Sequence, residues 1–247
     1  MQEIAVDCDV CTFHKCGSNW FRRLYREVAT LNALNIEVSK PTDNAINTSI
    51  FVHSKNTLRL HRNPKPYQVL KDGTADAPIL LCMRDPKDVV VSQYWSWKNT
   101  HKNNSAKILR YREKLTALSV EDGMLLLIES REFPYLTAME EWAPVLGKEN
   151  LHVIRYEDLL SDFAKAFRKS VESLGLHIGE PETQALEEKY SFRNIVKREP
   201  GVENTTSHYR KGVSGDWQNY FTDSIAAAFD EHYASLCASL GYDKAVL

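Results

Sequence analysis

The residues best suited to chemistry form a short segment, 13–20, with the sequence FHKCGSNW. Apolar residues alternate before this segment, as in a strand, and recur at helical spacing after it. Gly17 therefore stands where a strand turns into a helix. Backbone N–H groups can approach an oxyanion at such a glycine, the helix start adds about half a positive charge, and Lys15 adds a full one. The segment predicts a phosphate or sulfate site.

Two further segments carry cations at positions suited to an anion. Residues 79–83 (ILLCM) have the pattern of a buried strand, and Arg84 follows at the strand's carboxyl edge. Asp85 is a good helix N-cap, a proline suits the next position, and Asp88 can close a capping box. Residues 209–217 (YRKGVSGDW) place two cations and two glycines in one irregular loop. We interpret both segments as further anion contacts.

Strands and helices alternate along the chain. We predict strands over 4–13, 49–53, 79–84 and 151–156, and helices over 18–33, 86–98, 120–130, 134–146, 157–174 and 181–190. This alternation predicts an α/β fold of three layers, with a central parallel sheet of about five strands and helices on both faces. Ligands bind such sheets at the carboxyl ends of the strands, where four distant residues would meet: Lys15, His53, Arg84 and Tyr156.

Composition is typical of a compact enzyme. The chain has 247 residues, of which 43% are hydrophobic and 26% charged, and its formal net charge is −2. We expect one domain over 1–247, because a chain of this size buries roughly 70–75% of its unfolded surface and needs no metal or disulfide to fold. We find neither an apolar run of the ~18–20 residues that span a membrane nor a basic-then-apolar signal segment, so we expect a cytoplasmic protein.

Two compositional features suggest other functions that we do not favour. Cys8 and Cys11 are three residues apart, which on a strand directs them to opposite faces, so we expect buried thiols and no metal site. Between Lys98 and Lys114 there are six Lys/Arg against one Glu. We interpret this stretch as a solvated basic helix and expect no nucleic-acid or membrane partner, although an anionic acceptor remains an alternative.

The three anion segments, in this order, resemble the sulfotransferases that use 3′-phosphoadenosine 5′-phosphosulfate (PAPS). The first is similar to the family's 5′-phosphosulfate loop, residues 84–92 to its first 3′-phosphate motif, and residues 210–212 to its second. Residues 153–158 (VIRYED) resemble the family's fourth strand with its Tyr-Glu-Asp, and 215–219 (GDWQN) its Gly-Asp-Trp-Lys-Asn. The resemblance covers nearly the whole chain.

The resemblance implies a P-loop-like fold and in-line transfer of a sulfuryl group from PAPS to a hydroxyl or amine of a small-molecule acceptor. It implies no covalent enzyme intermediate and no divalent metal, and the nucleotide product is adenosine 3′,5′-bisphosphate (PAP). Lys15 would neutralise charge that develops on the oxygen bridging phosphate and sulfate. The residues implied to contact PAPS are Lys15, Cys16, Gly17, Ser18, Asn19, Trp20, Arg84, Ser92, Tyr156, Phe192, Arg210, Lys211 and Gly212.

A general base must accept the acceptor's proton, and histidine suits this task because its ordinary pKa lies near neutral pH. We assign the base to His53, at the predicted carboxyl end of the strand over 49–53, where the family carries its catalytic histidine. The family's usual Lys-Thr-His order is absent, since His53 is followed by Ser54 and Lys55. His61 is the alternative base.

Some residues depart from the family pattern. Ser18 and Asn19 stand where two threonines are common, and Tyr190 stands in place of an adenine-contacting threonine. Residues 218–223 only partly keep the family's dimer motif, so we expect a monomer or a weak homodimer. A P-loop kinase would need a lysine after the second glycine of Gly-x-x-x-x-Gly-Lys-Ser/Thr, whereas Lys15 precedes the glycine here. The other alternative is a nucleotide-binding protein without sulfotransfer activity.

Overall fold

The computed structural model describes residues 7–38, 56–70, 77–102 and 105–243. Within these ranges five strands form one parallel sheet in the order β2-β3-β1-β4-β5, and helices flank it. The predicted fold class is thereby confirmed. The strands are β1 (Cys8–Thr12), β2 (Asn35–Val38), β3 (Thr57–Arg62), β4 (Ile79–Met83) and β5 (Leu151–Arg155).

The helices in the described ranges are α1 (Ser18–Leu31), α2 (Pro66–Val69), α3 (Pro86–Trp95), α4 (Ala106–Ala117), α5 (Val120–Glu129), α6 (Pro134–Trp142), α7 (Tyr156–Ser161), α8 (Phe163–Glu172), α9 (Glu180–Tyr190), α10 (Phe192–Val196) and α11 (Asp223–Leu240). A π-helical segment (Ser96–Thr100) continues α3, and short 3₁₀ turns lie at Ala143–Val145 and Asp216–Asn219. Among the described residues, no helix combines the length and apolar composition needed to cross a bilayer.

These elements form two compact units. The first holds the sheet with α1, α2 and α7 to α9, and the second holds α3 to α6, α10 and α11. In the second unit α3 packs against α5 and α11. The single domain expected over 1–247 stays a prediction.

The first unit has its apolar core on one face of the sheet. Alternate residues of β1 and β3, Cys8, Val10, Leu58 and Leu60, are fully buried there together with side chains of α1 and α8. Strand alternation directs the intervening residues of β1 and β3 to the opposite face. The register pairs Asp9 with Arg59 on that face.

Several predicted elements are confirmed within a few residues, including α1, α3, α9 and the strands β1, β4 and β5. The single helix predicted over 157–174 is wrong, because Asp162 separates α7 from α8 and its side chain accepts a hydrogen bond from the backbone N–H of Lys165 as an N-cap. Strands β2 and β3 and helix α11 were not predicted. The strand predicted over 49–53 lies outside the described residues. All five cysteines are buried thiols, as expected.

Candidate active site

The segment around Lys15 links β1 to α1, and we call it the anion loop after its predicted ligand. Lys15 and Gly17 have left-handed backbone conformations, with φ of 69° and 78°, and the N–H of Cys16 donates to the carbonyl of Phe13 at 3.2 Å. Helix α1 begins without a side-chain cap and without an acidic residue in its first turn, whereas Asp85 caps α3. The first N–H groups of a helix need acceptors from outside it. An oxyanion beside Lys15 would supply them.

Two aromatic rings lie beside this loop. Tyr156, the first residue after β5, packs so closely on Gly17 that an added Cβ would come within 3.0 Å of the ring carbon Cδ2. The Trp20 ring meets the Tyr156 ring edge-on, with 5.7 Å between centroids, and lies 6.0 Å from the ring of Phe163. The glycine therefore provides both the left-handed turn and room for the tyrosine.

The carboxyl end of β3 is hydrogen-bonded to the same loop. The Thr12 hydroxyl donates to the His61 carbonyl at 2.9 Å, and the Asn63 N–H donates to the Thr12 carbonyl at 2.7 Å. The Asn63 side-chain oxygen then accepts from the N–H of His14 at 2.8 Å. His61 is thus held close to the chain segment that leads into Lys15.

The side chain of Asp9 pairs with two residues of β3. Arg59 donates from Nε to Oδ1 and from Nη2 to Oδ2, both at 2.8 Å, and His61 Nε2 lies 2.6 Å from Oδ1. All three residues are buried. Burial favours a raised pKa for Asp9, but the hydrogen bonds and charges of His61 and Arg59 outweigh it and lower this pKa. In turn Asp9 raises the pKa of Arg59 against the effect of burial.

Sequence reasoning missed Asp9 and Arg59. A signal was present in β3, where polar and apolar residues alternate from Thr57 to His61, and in the lone carboxylate of strand β1.

In the second unit, Asp88 connects two of the predicted anion segments. Asp85 caps α3 as predicted, accepting from the N–H of Lys87 at 2.8 Å. Asp88 was expected to close a capping box. The bonds that the structure shows for its carboxylate come from Nη2 of Arg84 at 3.1 Å and from the N–H groups of Gly215 and Trp217 at 2.9 and 3.0 Å. The start of α3 and the segment that follows Arg210 are therefore joined by a buried carboxylate.

The cations of the third predicted anion segment, residues 209–217, are paired with carboxylates. Arg210 is ion-paired with Glu203 and Asp216, and Lys211 Nζ lies 2.5 Å from Asp216 Oδ1. Burial works to raise the pKa of Asp216, yet its bonds from Lys211 and Arg210 prevail and lower it. Burial of the Tyr220 hydroxyl and its hydrogen bond to Glu203 together raise the pKa of Tyr220 to about 12.

Phe192 lies against the backbone of the same segment. Gly212 has a φ of 69°, and an added Cβ would overlap the Phe192 ring. The guanidinium of Arg198 lies 5.3 Å from the centre of this ring. Ser92, half-buried on α3, follows Asp85 by seven residues, two turns along the helix.

The predicted site residues are therefore divided between the two units. The first unit brings together the loop residues Lys15 to Asn19, Trp20, Tyr156 and His61. The second brings together Arg84, Phe192, Lys211, Gly212 and Arg210, with Ser92 on α3. His53 lies outside the described residues. Within the described ranges, no group of three or more His, Cys, Asp or Glu side chains could hold a metal ion.

Fold and loop together define a class of protein: an α/β protein in which the uncapped start of α1, beside Lys15, suits a phosphorylated ligand. A family model described as "Sulfotransferase domain" matches residues 7–241, nearly the whole chain. The chain belongs to this sulfotransferase family.

Named relatives agree with this assignment. Sulfotransferase 2A6 of Mus musculus is 26% identical over 91% of this chain and 82% of its own length. Among solved structures, mouse sulfotransferase SULT7A1 complexed with PAP aligns with a TM-score of 0.64 at 19% identity, covering 97% of this chain and 90% of that one. Retinol dehydratase in complex with androsterone and inactive cofactor PAP aligns with a TM-score of 0.55 at 15% identity, covering 94% and 80%. The two structural likenesses show the fold.

The resemblance stated from the three anion segments is therefore confirmed, and with it the class of enzyme. The chain is a sulfotransferase that uses PAPS as its co-substrate. The kinase and the inactive nucleotide-binding protein are not favoured.

Proposed function

We propose that this enzyme transfers the sulfuryl group of PAPS to a hydroxyl or amine of a small molecule, with Lys15 at the bridging oxygen. The observation that carries the proposal is the start of α1, which has no side-chain cap and follows a left-handed Gly17 two residues after Lys15. The N–H groups of Gly17, Ser18 and Asn19, the Ser18 hydroxyl and the adjoining Cys16 then hold the 5′-phosphosulfate.

The general base in this proposal is His61. Its support is the set of hydrogen bonds that tie the end of β3 to the loop before Lys15. His53, the base expected from sequence, remains the rival. The base takes the proton of the acceptor O–H or N–H while the acceptor atom bonds to sulfur. The bond from sulfur to the bridging oxygen breaks, and PAP leaves with the electron pair on an oxygen that Lys15 neutralises.

For the 3′-phosphate we propose Arg84, Ser92 and residues 210–212. Asp88 supports this assignment because it is hydrogen-bonded both to Arg84 and to the N–H groups of Gly215 and Trp217. Charge-assisted bonds from arginine suit phosphate oxygens.

Aromatic side chains contact the adenine in this proposal. They are Trp20, Tyr156 and Phe192. The close packing of Tyr156 on Gly17 and of Phe192 on Gly212 supports it, because each ring is held against a segment that we assign to a phosphate group.

The acceptor is a small molecule in our proposal, and we propose a monomeric or weakly dimeric cytoplasmic enzyme without nucleic-acid or membrane partners. Retinol dehydratase was solved with androsterone, so apolar alcohols are the first acceptors to test.

The test is transfer of ³⁵S from labelled PAPS to a panel of apolar alcohols, phenols, amines and sugars. We expect labelled product with at least one acceptor class and release of PAP in equal amount. Adenosine 5′-phosphosulfate, which lacks the 3′-phosphate, is the matched donor control and should support much slower transfer. PAP binding without transfer to any acceptor would instead favour the inactive nucleotide-binding protein.

A further inference from the structure

The bond between Asp9 and His61 determines which ring nitrogen of the histidine carries a proton. The lowered pKa of Asp9 keeps this carboxylate ionised at neutral pH, so its oxygens only accept hydrogen bonds. His61 Nε2, 2.6 Å from Oδ1, must therefore be the donor. A neutral imidazole with its proton on Nε2 has its basic lone pair on Nδ1.

Arg59 makes this arrangement rigid. Its two bonds of 2.8 Å engage both oxygens of Asp9, so the carboxylate cannot rotate away from the ring. The side chains of Arg59, Asp9 and His61 are only 8%, 4% and 7% exposed, and water competes weakly for these bonds. A carboxylate that served only to neutralise Arg59 would need no contact with His61.

We infer that Asp9 is a positioning residue for sulfuryl transfer, holding His61 as the Nε2–H tautomer so that Nδ1 receives the acceptor's proton. The inference rests on the proposed function, in which His61 is the base. When the acceptor oxygen bonds to sulfur, its proton moves to Nδ1 and the bond from sulfur to PAP breaks. The imidazolium that results is stabilised by Asp9, as in Ser-His-Asp triads. The proton leaves Nδ1 to solvent after the product departs.

The wild-type protein tests the tautomer directly by ¹⁵N NMR with labelled histidine. The chain has eight histidines, and the signals missing from His61→Gln identify the pair that belongs to His61. We expect a pyridine-type Nδ1 and a pyrrole-type Nε2 in the neutral ring. The opposite tautomer, or an even mixture of the two, would overturn the inference whatever the variants do.

Two variants test the effect on catalysis. Asp9→Asn keeps the shape but lets an amide N–H donate to Nε2, which shifts the ring toward the Nδ1–H tautomer. This change leaves the buried guanidinium of Arg59 without its carboxylate and could prevent folding. If the single variant does not fold, the double variant Asp9→Asn/Arg59→Gln is measured in its place. We expect kcat at saturating PAPS to fall about 10²–10⁴-fold, the typical contribution of a general base. The Kd of PAP and the KM of PAPS should stay within about threefold of wild type.

Asp7→Asn is the matched control. Asp7 accepts a hydrogen bond from the N–H of Thr57 at 3.0 Å, so it also joins the chain near β1 to β3 through a carboxylate. The substitution should leave kcat and the His61 tautomer unchanged. An equal loss of kcat in Asp7→Asn and Asp9→Asn would mean that Asp9 acts only through the sheet, and the inference would fail.

The outcomes separate this inference from the proposed function. If wild type transfers sulfate and His61→Gln does not, while the Asp9 variants keep wild-type kcat, Asp9 has no positioning role and the proposed function stands. If wild type transfers no sulfate to any acceptor, the proposed function fails, and the positioning role fails with it. Should neither Asp9 variant fold, the wild-type ¹⁵N spectrum decides.

Discussion

The ring of Tyr156 packs directly on Gly17, and an alanine Cβ at that position would come within 3.0 Å of the ring carbon Cδ2. The two residues are far apart in sequence, one in the anion loop and one just after β5. The contact joins the turn that exposes the backbone N–H groups to an aromatic ring assigned to adenine. Any side chain at Gly17 must displace that ring or change the turn.

We therefore expect Gly17→Ala to bind PAP at least about tenfold more weakly. A non-glycine residue in the left-handed region costs roughly 1–2 kcal/mol, and about 1.4 kcal/mol corresponds to tenfold in affinity. Gly147→Ala is the control, because Gly147 has no left-handed φ and an added Cβ meets nothing within 4 Å. Calorimetric titration with PAP measures both variants. Equal affinity of Gly17→Ala and wild type would argue against phosphate binding by this loop.

Lys15→Ala should reduce turnover far more than binding. The charge that Lys15 neutralises develops only as the bond from sulfur to the bridging oxygen breaks, so the effect belongs to the transition state. We expect kcat to fall about 10²–10³-fold, as when an oxyanion donor is removed. Steady-state kinetics with labelled PAPS measures this, with the exposed Lys165→Ala as control. An unchanged kcat with a raised KM would show that Lys15 only binds the donor.

Substitution of the two histidines should identify the base. We expect His61→Gln to lower kcat about 10²–10⁴-fold at saturating PAPS, because a general base typically contributes that much, while His53→Gln stays within a few-fold of wild type. His177→Gln, at an exposed position, is the control. PAP titrations confirm that each variant retains its nucleotide site. The reverse pattern would make His53 the base, as the sequence suggested.

The 3′-phosphate should dominate nucleotide affinity. Charge-assisted hydrogen bonds contribute about 1.5–3 kcal/mol each, so PAP should bind on the order of 100-fold more tightly than AMP. Arg210→Ala should remove most of this difference. Arg193→Ala should keep it, because Arg193 is an exposed arginine whose ion pair within the described residues is with Glu199. Calorimetry with both nucleotides decides the matter, and equal affinity of wild type for PAP and AMP would exclude a 3′-phosphate site.

Asp216→Asn should show a pH-dependent loss of stability. The pKa of Asp216 is lowered in the folded protein, so its ionised form stabilises the fold above the unfolded pKa near 4, and this contribution is lost as pH falls through the lower folded value. At pH 7 we expect the free energy of unfolding to drop by about 3–5 kcal/mol, because Arg210 and Lys211 lose a buried partner.

Urea unfolding of wild type and variant from pH 7 to about pH 3 measures this effect. The gap between the two proteins should narrow below about pH 4. Asp230→Asn, on the exposed face of α11, should give a small and nearly constant difference. A gap for Asp216→Asn that stays the same at every pH would mean that the carboxylate is not the source of the stability.

The sequence alone determined the anion loop, the cap of α3 by Asp85 and the alternation of strands and helices. These are local features, because a left-handed glycine, a capping carboxylate and hydrophobic periodicity act over a few neighbouring residues. The family followed from the order of three such motifs. The break between α7 and α8, which the sequence analysis did not predict, is also a local feature. Asp162 caps α8 there, and an aspartate can cap a helix as readily as it can lie within one.

Tertiary structure alone decided which charges meet. Asp9 contacts Arg59 and His61, which are 50 and 52 residues away in sequence, because parallel pairing of β1 with β3 fixes their register. Asp88 accepts hydrogen bonds from the N–H groups of Gly215 and Trp217, which are 127 and 129 residues away in sequence. A single sequence holds no local signal for such pairs, since strand register and loop docking are set by the packing of the whole core. The proposal of His61 as the base depends on that packing, because the bond between His61 and Asp9 joins β3 to β1.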